Sequence, residues 1–200
     1  VLGVADIVIR PSLILASESP RRRQLLEQIG LAFQCCAVAV DESCRCGEPI
    51  EECVKRLSLQ KAKLAFGCYP DSVALGADTM VVVDDMAFGK PKDRRDGVQM
   101  IESLSGRFHK VMTGVAIVSC RGEDVTLQTS RVKFRPLLCD EIVAYWETGE
   151  PCDKAGGYGI QGIAAQFIES IEGSYSGVMG LPLFEAAMLL RNHGIHPLFS

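Results

Sequence analysis

Histidine is scarce in this 200-residue chain, and the three present, His109, His193 and His196, show no spacing with acids that a metal site would use. They read as exposed or hydrogen-bonded imidazoles. No apolar run approaches the ~20 residues of a membrane-spanning helix, so no membrane partner is expected. Positive charge is not in excess. The 21 Lys and Arg against 25 Asp and Glu leave a net charge of −4, which lacks the basic footprint of a protein that binds a nucleic acid polymer. Repeats, linkers and low-complexity tracts are also missing, which argues for a single α/β domain over residues 1–200. The opening stretch, VLGVADIVIR, has neither a start methionine nor a cleavage pattern, and residues 1–11 read as an N-terminal extension. Cysteine, by contrast, is plentiful. The nine cysteines include the cluster Cys44, Cys46 and Cys53, but their odd number, the large apolar fraction and the lack of a nearby histidine argue against a disulfide scaffold or a zinc site. Reduced thiols are expected.

The rest of the chain is organised around VALGADTMVVVDDMAFGKP, residues 73–91. Its apolar, β-branched run turns polar at Asp78 and Thr79 and resumes through Val83, which reads as a strand pair or a bulged strand in a core. Asp84 and Asp85 suit a hairpin tip. An unpaired carboxylate is expensive to bury, so Asp78 is expected to face a polar cleft, a cation or both. Gly89-Lys90-Pro91 then sets a cation on a constrained turn. An acid and a lysine carried by one hairpin suit a metal and an anion.

Upstream, residues 12–17 read as a buried strand, with Ser19 and Pro20 as helix cap and first turn and Gly30 as the stop. Arg21, Arg22 and Arg23 fall in the first turn of that helix, where the macrodipole disfavours cations by roughly a few tenths of a kcal/mol each. Their presence makes sense if an anion docks there, held by backbone N–H groups, Ser17 and at least one arginine. A second strand is expected over residues 33–40, ending at Asp41 and Glu42. A helix over residues 50–66 would place Ile50, Val54, Leu57, Leu64 and Ala65 on one face, and Lys61 falls inside that stripe. A lysine on a buried face either snorkels past the core edge or is aimed at a fixed negative partner; the second reading is favoured, with Asp41, Glu42, Asp78 and a phosphate as the candidates.

Downstream, Asp93 is expected to cap a helix through Leu104, and residues 111–120 and 125–134 to form two hairpin strands. A helix from Asp140 to Trp146 follows. Gly157, Gly159 and Gly162 spell GxGxxG, but a helix precedes them and residues 163–171 look strand-like, so the dinucleotide fingerprint is rejected. These glycines instead let the backbone approach a ligand, with the Gln161 amide available to a base edge. Residues 173–180 read as a flexible turn and residues 181–192 as a last amphipathic helix.

Seven segments occur in order: Ser17-Glu18-Ser19-Pro20-Arg21-Arg22, Asp41-Glu42, Gln60-Lys61-Ala62, Gly76-Ala77-Asp78-Thr79, Gly89-Lys90-Pro91, the run Asp153 to Gly162, and Gly180-Leu181-Pro182-Leu183. From about Leu13 to the last helix the chain resembles the Maf family of nucleoside triphosphate pyrophosphatases. The resemblance implies an α/β fold with a mixed sheet flanked by helices, two lobes around a deep cleft, related to the inosine triphosphate pyrophosphatases. It implies hydrolysis of a nucleoside triphosphate to monophosphate and diphosphate with Mg²⁺ or Mn²⁺. Asp78 corresponds to the proton acceptor, and Ser17, Arg22, Glu42, Lys61 and Lys90 to the phosphate and metal site, with Glu42 and Asp78 as metal ligands. Arg21, Thr79 and Gln161 match the positions that sort substrates, in the form found in the dTTP/UTP subgroup. Glu18 and the extra Arg23 depart from the pattern. A homodimer and a cytoplasmic location are usual for the family. A non-catalytic nucleotide-binding regulator of cell division and a purine-directed enzyme are the rival readings.

Overall fold

A short buried strand, β1 (Leu13–Leu15), opens the computed structural model, which describes residues 11–199. It is followed by α1 (Pro20–Gln28), β2 (Gln34–Cys35), α2 (Ile50–Cys68), β3 (Val73–Val83), β4 (Met86–Phe88), α3 (Arg94–Leu104), β5 (Phe108–Ser119) and β6 (Gly122–Phe134). Then come α4 (Cys139–Glu147), β7 (Ile168–Glu172), α5 (Tyr175–Met179) and α6 (Leu183–Asn192). The expected extension, residues 1–11, lies outside the described residues apart from Pro11.

One mixed sheet of seven strands carries these elements in the order β2-β1-β3-β5-β6-β7, with β4 paired to β3. β1 is parallel to both β2 and β3, and the remaining pairs are antiparallel. β3 is the spine. Its first three residues pair with β1, its last three with β4, and β5 runs along nearly all of its other edge. Between Leu75 and Val81, β3 therefore has no strand on its β1/β4 side among the described residues. Chain that leaves the carboxyl end of β1 and enters α1 borders this gap, the kind of place where open α/β sheets bind ligands.

Side chains alternate across β3, so its two faces pack on different partners. Odd-numbered residues such as Val73, Leu75 and Ala77 join Leu25, Leu26, Leu181 and Leu190 in one core, and Val81 and Val83 join Ile101, Leu104 and Ile142 in another. Even-numbered Met80 and Val82 meet Val54 and Leu57 of α2 on the opposite face. Two glycines let α2 lie directly on the sheet. A Cβ on Gly76 would collide with the Ser58 carbonyl and come within 2.6 Å of the Ala62 nitrogen; one on Gly114 would lie 2.8 Å from the Val54 carbonyl.

Several expectations change. Residues 73–83 form one unbroken strand, because β5 pairs straight through the polar step at Asp78 and Thr79. The hairpin tip stands, with Asp84 and Asp85 both at positive φ (48° and 60°) as a two-residue hairpin requires. The strand expected over residues 33–40 shrinks to Gln34–Cys35, since its neighbour β1 ends at Leu15. Residues 163–167 form a 3-10 turn before β7, and the supposed flexible turn at residues 173–180 contains α5. Ser19 takes the cap position without a side-chain cap, whereas Asp93 does cap α3, accepting from the Asp96 amide at 2.9 Å. Leu64 is exposed; Ser58, Lys61 and Ala62 lie on the buried face instead. The thiols are not all reduced, because Cys44 and Cys53 form a disulfide that ties the loop before α2 to its first turn. Glu48 stands beside those sulfurs but is bound through both oxygens to Arg56 at 2.7 Å, so the cluster is a structural clasp and not a zinc site. His109 and His193 are buried and hydrogen-bonded, and His196 is exposed.

Candidate active site

A cavity of about 430 Å³ occupies the gap beside β3. Because β1 has ended there, the cavity reaches both faces of the sheet, and Asp78 and Thr79, adjacent in sequence and opposite in direction, both line it.

On the α2 face, Lys61 donates to Asp78 Oδ1 at 2.7 Å and to Glu42 Oε1 at 2.6 Å. Asp78 and Lys61 are buried, with side chains 8% exposed, while Glu42 is 53% exposed and forms the outer arm. The lysine in the apolar stripe thus meets two of its expected partners; Asp41 instead accepts from the Ser43 amide at 3.0 Å. Burial works against ionisation of Glu42, but the Lys61 hydrogen bond and charge, with Lys90 and Arg22, outweigh it and hold the carboxyl below its usual range. Two carboxylates share one ammonium, so the group keeps a net negative charge toward the cavity. Each carboxylate also retains a second oxygen. Hard oxygen donors of this kind suit Mg²⁺ or Mn²⁺, so the donor set fits a divalent ion.

On the opposite face, Arg22 is anchored from three places. Its Nε donates to the Gly180 carbonyl at 2.8 Å, Nη1 to Ser17 Oγ at 3.2 Å and Nη2 to Thr79 Oγ1 at 3.3 Å. The guanidinium has further N–H groups for a ligand. Burial lowers its pKa from the ordinary value, Asp78 opposes that, Arg21 adds to it and Glu42 opposes it. A desolvated cation held rigidly with spare donors is an anion site. Its place in the first turn of α1 answers the question of why cations sit there: Arg22 points into the cavity, Arg21 lines it and Arg23 is exposed.

At the mouth, Arg21 Nη1 meets Asp153 Oδ2 at 3.3 Å, Lys154 Nζ donates to Asp153 Oδ1 at 2.6 Å, and Lys90 and Glu18 line the opening. Gln161 is exposed and is not among the lining residues, although Tyr158, Gly159 and Ile160 are. The structure thus gathers Ser17, Arg21, Arg22, Glu42, Lys61, Asp78, Thr79 and Lys90 in one cavity and leaves Gln161 outside it.

A family model described as Maf-like protein matches residues 12–193. The chain belongs to the Maf-like protein family. Among curated relatives, the dTTP/UTP pyrophosphatase of Alkalilimnicola ehrlichii is 51% identical over 187 residues, covering 90% of this chain and 92% of the relative. The protein of that name from Vibrio parahaemolyticus is 48% identical over 181 residues, covering 90% and 96%. A third, from Hahella chejuensis, is 48% identical over 189 residues, covering 93% and 94%.

In this Maf-like chain, local pattern did not reveal the groups that support the site. Thr113, opposite Thr79 in the register, was hidden in an apolar strand; its signal was a lone hydroxyl within Val111-Met112-Thr113-Gly114-Val115. Glu150 was also missed. It accepts from Tyr145 Oη at 2.9 Å and from the Ile163 amide at 2.7 Å, and so ties down the glycine-rich segment along the cavity wall.

Proposed function

We propose that this chain hydrolyses dTTP and UTP at the α–β phosphoanhydride bond, giving the monophosphate and diphosphate. The observation that carries the reading is the convergence of Asp78, Lys61 and Glu42 with Arg22 in one cavity of a size suited to a nucleotide. The names borne by relatives about half identical in sequence support the choice of substrate.

Asp78, buried at the centre, accepts the proton of the attacking water, with Lys61 holding the carboxylate in place. Arg22 receives phosphate oxygens on its remaining N–H groups, and Ser17 and Lys90 border the same space. Glu42 and Asp78 would hold Mg²⁺ or Mn²⁺. A divalent ion supplies neutralisation of phosphate charge when bound. Arg21 and Thr79 contribute to substrate choice from the cavity wall, and Gln161 would have to act from outside it. No helix among the described residues is long and apolar enough to cross a membrane. A nucleotide pool enzyme of this kind works in the cytoplasm, and pairing into a homodimer belongs to the same reading.

The test is a panel of nucleoside triphosphates with Mg²⁺, in which phosphate and diphosphate are detected separately. Diphosphate is expected from dTTP and UTP, with ITP and XTP poor substrates, and Asp78→Asn is expected to lose activity about a hundredfold or more while remaining folded. No product from any nucleotide with metal present defeats the reading. Tight nucleotide binding without turnover favours a regulator in its place.

A further inference from the structure

The face of the sheet that carries Arg22 contains a run of hydroxyls whose proton directions follow from counting. Thr113 on β5 is fully buried and lies opposite Thr79 in the register. Its Oγ1 donates to the Gly177 carbonyl at 2.8 Å. A threonine hydroxyl has a single proton to give. In the 3.0 Å contact between the Thr79 and Thr113 hydroxyls, Thr79 must therefore be the donor. The Thr79 proton is committed to the interior, and its lone pairs are left for Arg22 Nη2 at 3.3 Å and for the cavity. Thr113 also acts by a second route. Gly177 belongs to α5, and the residue that closes α5, Gly180, holds Arg22 Nε at 2.8 Å. Two of the three anchors of Arg22 thus trace back to one hydroxyl whose own residue does not line the cavity.

We propose that Thr113 is a positioning residue for the anion-binding arginine. It turns Thr79 into an acceptor and pins the helix whose end holds the other side of the guanidinium. Phosphate oxygens are acceptors too, so they find no partner at Thr79 and are directed to the free N–H groups of Arg22. This inference rests on the pyrophosphatase reading and deepens it, because it says how the diphosphate portion is steered.

The experiment compares wild type, Thr113→Val and Thr113→Ser by calorimetric titration with inorganic pyrophosphate, and by steady-state kinetics with UTP and Mg²⁺. Thr113→Val is expected to weaken pyrophosphate binding about tenfold, as loss of a charge-assisted anchor would, and to raise KM by a similar factor with kcat within about twofold. Thr113→Ser, which keeps the hydroxyl, is expected to restore both. Should Thr113→Val not fold, Thr113→Ala carries the same expectation. Unchanged pyrophosphate affinity in the valine or alanine variant with only a lowered melting temperature overturns the proposal, as does failure of serine to rescue. Failure of the wild type to bind pyrophosphate overturns it as well. A wild type that binds pyrophosphate but hydrolyses nothing defeats the functional reading alone, since the titration still decides the role of Thr113.

Discussion

Asp78 and Thr79 are neighbours on one strand, yet they open onto two different kinds of chemistry. On the α2 face, Asp78 shares Lys61 with Glu42, three full charges within 2.7 Å contacts. On the other face, Thr79 belongs to a neutral hydroxyl pair backed by a carbonyl, and the charge it meets, Arg22, arrives from outside the sheet. The alternation of a β-strand makes this division possible, and the missing strand between β1 and β4 lets a single ligand feel both faces. The division teaches that reacting charge and positional polarity need not compete for the same space. A carboxylate in the middle of a hydrophobic sheet is tolerated because α2 lies close enough, over Gly76 and Gly114, to deliver its counter-charge.

The sharpest way to break the comparison is to remove the shared cation. In Lys61→Met, Asp78 remains buried beside a second carboxylate with no ammonium between them. Removing one partner of a buried ionic group costs about 3–5 kcal/mol, so denaturant unfolding at pH 7 is expected to show a loss of that order. Stability equal to wild type at pH 7 would show that the α2 face is no more dependent on pairing than the hydroxyl face.

Much of the charged face was legible in the sequence, because a charge inside an apolar period is a local anomaly. Asp78 within a valine run and Lys61 within the α2 stripe each violated the pattern of its own element, as Arg22 on the other face violated the helix dipole. The hydroxyl face was harder to see. Thr79 and Thr113 are ordinary residues for strands, and only the register of β3 against β5, a long-range pairing, makes them a unit. The same limit explains the two-residue β2, whose length depends on where β1 stops, and the Cys44–Cys53 bond, which depends on the path of a loop. Gln161 was read from its neighbours in a motif, and the fold leaves it exposed and outside the cavity that Ile160 lines.

The neutral face has its own titratable group, and it sharpens the comparison through pH. His109 lies on the same side of β5 as Thr113, buried, with its ring nitrogen Nε2 2.8 Å from Tyr158 Oη and Nδ1 without a hydrogen-bond partner among the described residues. Burial alone pushes its pKa down to about 4. The unfolded chain, at about 6.5, therefore takes up a proton that the folded one refuses, and stability falls as pH drops from about 6.5 through 4. Over that window the loss amounts to about 3 kcal/mol from this residue. His109→Gln cannot titrate, so the stability gap between wild type and variant should move by that amount between pH 7.5 and 4. A gap that stays constant would mean that the imidazole is protonated without opening the core.

The smallest effect is expected where both faces end, at the mouth. Arg21 and Asp153 are 3.3 Å apart, a longer contact than the 2.6 and 2.7 Å pairs at the floor of the cavity, and with the Asp153 side chain 61% exposed water screens the pair. Burial works against ionisation of Asp153, yet Lys154 and then Arg21 hold its carboxyl below the usual range. Lys154 would keep most of that effect if Arg21 left. Exposed pairs contribute about 0–1 kcal/mol, so Asp153→Ala is expected to leave unfolding within about 0.5 kcal/mol of wild type, and to matter less still at high salt. Its informative readout is KM, because freeing Arg21 changes the charge presented to an entering triphosphate without touching Asp78 or Thr79. A loss of stability as large as that of Lys61→Met would mean that the rim carries the fold as the floor does, and the distinction between buried and screened pairs would fail for this cavity.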